Sequence, residues 1–293
     1  PLQRLSLTPM VEMADPVGEG RLRADLWFGY SNIFEQDSTD THNLYLDLER
    51  LVTALTVRYG VNERLEVGAR ATMETTHSGF LDSTVDSFHR ILSLGNGDRD
   101  RFPQGAFGQR LERGGELVLD VEQRGFALED VRLFAKWLLY RGADRGSALS
   151  VRGVARIPTQ DNRVGSERSD VGLMLLGRRR LGGWHLHSML GAATVRRAPE
   201  LRDLLEGSQY FAMVGVERPF SENFSGLLQF TVQSPLVTGF DEGEVDGHVI
   251  NTVFGVAWRT GGGWRWEIGF QEDTPPERPS VDFTLQVGVS RSW

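Results

Sequence analysis

Apolar and polar side chains alternate with a period of two along most of this chain. At 21–30 the even positions Leu22, Ala24, Leu26, Phe28 and Tyr30 are apolar, and Arg21, Arg23 and Asp25 stand between them. At 65–74, Leu65, Val67, Ala69, Ala71 and Met73 alternate with Glu66, Gly68, Arg70, Thr72 and Glu74. The same rule runs through Val131, Leu133, Ala135, Trp137 and Leu139, and through Trp264, Trp266, Ile268 and Phe270. Strict alternation puts one set of side chains on each face of a strand. The pattern predicts twelve strands: 21–34, 44–59, 63–76, 129–140, 147–157, 169–180, 184–195, 208–217, 224–235, 248–259, 264–271 and 281–293.

The connections alternate in length. Short ones such as Gly60 to Asn62, Leu181 to Gly183 and Thr260 to Gly263 take turns with longer polar ones at 35–43, 77–128, 158–168, 196–207, 236–247 and 272–280. Short turns at one end and long loops at the other predict an all-β, transmembrane up-and-down antiparallel barrel. The even strand count puts both chain ends on the short-turn, periplasmic side. Residues 1–18 are expected to be a periplasmic segment and 19–293 the barrel, with 77–128 a long extracellular insertion. A soluble β-sandwich also alternates. Its core would have to bury Arg, Glu and Asp at strand centres without partners, whereas a closed barrel in lipid turns that face inward.

The last strand, Phe283-Thr284-Leu285-Gln286-Val287-Gly288-Val289-Ser290-Arg291-Ser292-Trp293, resembles the C-terminal strand of bacterial outer-membrane β-barrels. That resemblance implies the bacterial cell outer membrane as location, a bilayer with lipopolysaccharide as surroundings, and recognition of Trp293 by the barrel-insertion machinery. Gly79-Phe80-Leu81-Asp82, Phe88-His89 and Gly97-Asp98-Arg99-Asp100-Arg101-Phe102-Pro103 resemble an uncharacterised family of such barrels. Val131-Arg132-Leu133-Phe134-Ala135-Lys136 and Arg156-Ile157-Pro158-Thr159-Gln160-Asp161 are similar to segments of that family and of aromatic-hydrocarbon-pathway barrels. The resemblance implies a fold and transfers no activity.

Composition narrows the classes further. The 293 residues include no Cys, which excludes a disulfide scaffold, and 40 Asp+Glu against 32 Lys+Arg give a net charge of −8, which disfavours nucleic acid as a partner. Seven Trp and 10% aromatics argue against disorder, and no apolar run is long enough for a spanning helix. No signal peptide is evident, and the opening Pro1-Leu2-Gln3 is what a processed product would show. The charge is unevenly spread: the predicted long loops (35–43, 79–130, 159–170, 196–207, 236–247, 272–282) hold 27 acidic and 12 basic residues, leaving the remainder net positive. Lys136 is the only lysine, so nearly every cation is an arginine.

The predicted polar face carries Arg21, Arg23, Arg58, Arg70, Arg132, Lys136, Arg152, Arg156, Arg178, Arg180 and Arg265, with His185 and His187. Asp25, Asp47, Glu49, Glu66, Glu74, Glu217 and Glu267 are assigned opposite them. Two readings stand side by side: ladders of paired charge that fill and brace the lumen, and a narrow arginine-rich pore that attracts anions. In the insertion, Leu81, Val85, Phe88, Ile91 and Leu92 have helical spacing and predict a short amphipathic helix, as a lid, a plug or ordinary loop packing. Leu117, Leu119 and Val121 suggest a hairpin arm.

Other chemistry is weakly signalled. His77-Ser78 and Asp86-Ser87-Phe88-His89 lack the strand-turn-helix context of a hydrolase nucleophile. His185 and His187 have no evident carboxylate companions for a metal, and Asp241-Glu242-Gly243-Glu244-Val245-Asp246 lacks calcium-loop spacing. No catalytic residue, cofactor or metal site is assigned. The expected function is passive passage of a small solute, anionic or amphipathic. The alternatives are a structural barrel that anchors a protein partner through its extracellular loops and, third, a lipid-modifying hydrolase.

Overall fold

A computed structural model of the chain describes residues 12–40, 42–83, 87, 103–120, 125–159, 169–196, 203, 205–238, 246–273 and 283–293. Its strands are β1 (Leu22–Ser38), β2 (His42–Gly60), β3 (Leu65–His77), β4 (Gly108–Arg113), β5 (Glu116–Asp120), β6 (Gly125–Arg141), β7 (Ser147–Pro158), β8 (Asp170–Leu181), β9 (Trp184–Thr194), β10 (Ser208–Pro219), β11 (Phe224–Gln233), β12 (Val249–Thr260), β13 (Trp264–Asp273) and β14 (Phe283–Ser292). All but β4 and β5 pair in an antiparallel ring, closed where β1 meets β14 along Arg23↔Ser292 to Asn32↔Phe283. This is the predicted twelve-stranded barrel. Closure leaves no unpaired strand edge, the condition for backbone to cross hydrocarbon.

The two faces sort as the alternation requires. Leu133, Leu173, Leu190, Val214 and Phe254 point outward, each 48–61% exposed, where acyl chains would cover them. Arg132, Arg152, Met174, Met189 and Met213 are their inward neighbours and are buried. Trp258, Trp264 and Trp266 stack near the short-turn end, with ring centroids 6.2–6.3 Å apart, as an interfacial girdle would. The turns there are set locally. Asn62 accepts backbone N–H bonds from Arg64 and Leu65, each 2.8 Å, closing β2 onto β3. Gly182 turns β8 into β9 with φ +59°, a conformation that needs no Cβ.

The strands at 22–38, 42–60 and 125–141 run several residues further than the alternation predicts, because the wall rises beyond the membrane at the long-loop end. There the polarity of the faces inverts. The β1–β2 register is unbroken from Leu22↔Tyr59 to Ser38↔Asn43, so Leu44, Leu46 and Leu48 share the inward face with Arg58. Asp47 and Glu49 therefore lie on the outer face, correcting their assignment to the lumen. An unbroken period of two carries no marker of the height at which in and out exchange chemistry.

The described part of the insertion accounts for the inversion. β4 pairs with the upper part of β2, Asp47↔Gly108 to His42↔Arg113, and β5 folds back on β4, so the suggested hairpin arm extends the wall. Beyond β3 the chain crosses the outer face of β2. Glu49 accepts backbone N–H bonds from Phe80, at 2.7 Å, and Leu81, and a hydroxyl bond from Tyr30. Asn32 donates to Asp82 at 2.9 Å, and Asp82 accepts the Gly105 N–H at 2.6 Å. Asp82, Ser83 and Ser87 are helical; the rest of the predicted helix over 81–92 lies outside the described residues.

Candidate functional site: the barrel interior

Strand register gathers the predicted charged residues in the bore. Facing pairs on neighbouring strands share a side of the sheet, so Glu66↔Lys136, Arg70↔Arg132, Arg132↔Arg156 and Lys136↔Arg152 stand together on β3, β6 and β7. Lys136 lies 3.0 Å from Glu66, and Arg58 3.8 Å from the same carboxylate. Arg58 also bonds Asp25, which Arg23 meets at 2.8 Å. Glu74 pairs with Arg50 at 2.7 Å. Arg70 places its guanidinium 5.9 Å from the Trp27 ring, in cation–π range. Nearer the long-loop end Arg132 grips Asp130 at 2.9 Å, and Arg156 meets Asp170 at 3.0 Å and Asp130 at 3.7 Å.

Across the bore Arg265 joins Glu217 at 3.3 Å and Glu267 at 2.6 Å. His185 and His187 face Glu217 and Gly215 on β10, and Arg180 and Arg178 on β8. Arg180 sits at the rim, exposed, bonded to the Gly182 carbonyl at 3.4 Å. Asp130, Asp170 and Arg50 were not among the predicted bore residues, although the predicted strands 129–140, 169–180 and 44–59 contain them.

Charge occupies only part of the inner wall. On β6 to β10, Phe134, Leu138, Met174, Leu176, Met189, Phe211 and Met213 pack into one buried apolar cluster facing inward. Three of them are methionines, whose unbranched thioethers adapt to irregular neighbours. Further round, Gln209, Thr231, Gln233, Asn251 and Thr284 line a neutral polar sector. The bore is thus charged, apolar and neutral by turns around its circumference.

Between the charged and apolar sectors lies a stretch of chain that belongs to no strand. Residues 12–17 were expected in the periplasm; the structure places them inside the barrel. The buried Glu12 carboxylate accepts from Arg58 Nη2 at 2.9 Å and Nε at 3.1 Å, and lies 3.1 Å from Arg152 Nη1. Burial pushes this carboxyl up, but Arg152, Arg58 and Lys136 outweigh it and hold the pKa at about 2. Lys136 Nζ donates to the Met13 carbonyl at 3.1 Å, and Ser150 Oγ to the Ala14 carbonyl at 2.5 Å. Ala14 is fully buried in the apolar cluster. Asp15 meets Arg178 at 2.5 Å, and Val17 N–H donates to Glu66 at 2.9 Å. No period or motif marks this segment; its partners lie up to 163 positions away in sequence.

Two of the weaker candidates, His77 and Ser87, have local structural contacts. His77 Nδ1 accepts the Gly79 N–H at 3.0 Å while Nε2 lies 3.3 Å from the Tyr30 hydroxyl, so the ring anchors the loop above Glu49. Ser87 Oγ bonds the Ser83 carbonyl at 2.7 Å; Asp86 and His89 lie outside the described residues. Among the described residues no group of three or more His, Asp or Glu could hold a metal ion. Gly261–Gly263 forms a tight turn between β12 and β13.

Comparison with known proteins gives a family and a fold. The family model described as Protein of unknown function (DUF3187) matches residues 1–293. No curated protein matches the sequence. The COG4313 outer membrane channel from Pseudomonas putida F1 superposes with TM-score 0.61 and 14% identity, over 98% of this chain and 100% of that one. The NanC porin superposes with TM-score 0.53 and 8% identity, over 92% and 98% respectively. At such identities the likeness is one of fold, shared with outer-membrane barrels.

Proposed function

For this chain, which belongs to the DUF3187 family of proteins of unknown function, we propose passive passage of a small anionic or amphipathic solute across the outer membrane. The route is the narrow bore. The observation that carries the reading is how the bore is filled. Residues 12–17 stand between its charged and apolar sectors and are held there by side chains rather than by strand pairing. A wall is permanent, whereas a segment docked by a few polar contacts can leave. The fold likeness to the COG4313 channel and the NanC porin supports the same reading.

With the segment out, guanidinium groups of Arg58, Arg152 and Arg178 lose carboxylate partners and the bore favours anions. The test is planar-bilayer recording of the full chain against a Glu12→Gln/Asp15→Asn variant. The variant is expected to open more often and to shift the reversal potential toward the anion. A folded variant that never conducts overturns the channel reading. One observation favours the alternative of a purely structural barrel: Arg152, Arg156, Leu176, Met189 and Met213 are among the most completely buried side chains, as in a filled core. A silent variant would support it.

A further inference from the structure

The Glu12 segment resembles a ligand in its site. Its carboxylate sits between two guanidinium groups, and two residues on Ala14 enters an apolar cluster. Arg58 has other carboxylates, Asp25 and Glu66, whereas the ion pair of the deeply buried Arg152 is made to Glu12 alone among the described residues. Removing the segment without replacement leaves Arg152 buried beside Phe134, whose ring centroid lies 4.0 Å from its guanidinium carbon. An uncompensated buried cation is strongly unfavourable, so the vacated place calls for an anion. Next to it, Met174, Met189 and Met213 belong with Ala14 to one buried apolar cluster, and their unbranched thioethers can adapt to an occupant of another shape. The wall therefore offers a carboxylate clamp joined to a buried apolar cluster.

We propose that Arg58 and Arg152 form a binding subsite for the carboxylate of an amphipathic monocarboxylate, whose apolar body lies on Phe134, Met174, Met189, Phe211 and Met213. Glu12 holds that place in the closed barrel and is displaced by the solute. The inference rests on the channel reading above and names the solute class for it. Binding and release are one exchange of carboxylates on the same two arginines. The buried charge stays compensated throughout, and no covalent step is involved.

The experiment uses the full chain in detergent micelles with octanoate as probe, acetate as a head without a body and 1-octanol as a body without a head. Since the apparent affinity is reduced by the fraction of time the site is blocked, Glu12→Gln should tighten octanoate binding about tenfold or more in calorimetry. Arg152→Gln in the same background should abolish it, and acetate and 1-octanol should bind far more weakly in both. The chain has no native cysteine, so Met13→Cys gives a unique thiol. Octanoate, and not acetate, should accelerate its labelling by a bulky maleimide. The labelling does not need the arginine variant, so it decides the matter even if Arg152→Gln does not fold. Octanoate affinity unchanged by Glu12→Gln, or labelling indifferent to octanoate, overturns the subsite. If the Glu12→Gln/Asp15→Asn barrel conducts but octanoate fails these tests, the channel stands and the subsite falls. If octanoate passes them and no variant conducts, the channel reading falls and the binding site remains.

Discussion

Asp170→Asn isolates what the inner ion lattice contributes to stability. The two oxygens of Asp170 have separate duties: Oδ2 lies 3.0 Å from Arg156 Nη1, and Oδ1 accepts the Arg196 N–H at 2.8 Å. Asparagine keeps an acceptor for Arg196 and removes the charge. Arg156, 1% exposed, loses its nearest carboxylate and keeps the longer 3.7 Å contact to Asp130. With charge centres about 4 Å apart and an effective dielectric of about 20, the lost attraction is about 4 kcal/mol. That agrees with the roughly 3–5 kcal/mol measured when one partner of a buried pair is removed. Reversible urea unfolding in lipid vesicles, followed by the fluorescence of the seven tryptophans, should show a loss of that size. The double variant Asp170→Leu/Arg156→Met removes both charges and should recover at least half of it. A single variant within about 1 kcal/mol of the parent would refute the reasoning, because such small effects belong to solvent-exposed pairs.

Three other outcomes are expected. Leu173→Arg, on the lipid-facing side of β8, should impair insertion by about 2–4 kcal/mol, while Gln229→Arg, directed into the bore, should insert normally; folded fractions on unheated gels report both. Gly79→Ala should loosen the loop from the wall by about 1–3 kcal/mol, since φ there is +74° and a Cβ would overlap the Glu49 carboxyl; limited proteolysis should then cut first between 78 and 124. The Glu12 carboxyl is held below its ordinary 4.5 at about 2, so its contribution to docking is complete above pH 4.5 and is lost as pH falls toward 2. Conductance should rise over that interval in the parent and stay flat in Glu12→Gln.

The wall was legible because each strand repeats one rule: Leu133 out, Arg132 and Phe134 in. The ends of β1, β2 and β6 were not, since above the membrane the same alternation continues with its chemistry reversed, as Leu48 and Glu49 show. Most of the charged bore residues could be picked from the polar face, Asp25, Glu66, Glu74, Glu217 and Glu267 included, but which cation meets which carboxylate could not. Arg156 finds Asp170 across the β7–β8 register, and Arg58 finds Glu12 on a segment threaded inside the barrel; a period of two specifies neither the register nor the threading. Residues 12–17 were illegible for a related reason. Glu12, Ala14 and Pro16 are buried alternately, but a stretch so short, with a charge at its first buried position, reads as solvated chain.

The near-absence of lysine has a consequence for how this bore responds to its surroundings. A guanidinium keeps its proton at any pH a bacterium meets, so the cationic side of the lattice, Lys136 and the two histidines apart, behaves as a fixed background. The carboxylates are the movable part. Acid can only remove negative charge from among fixed positive ones, and alkali finds little left to change. The interior is therefore a one-way responder: it grows more positive in acid and holds its charge everywhere else.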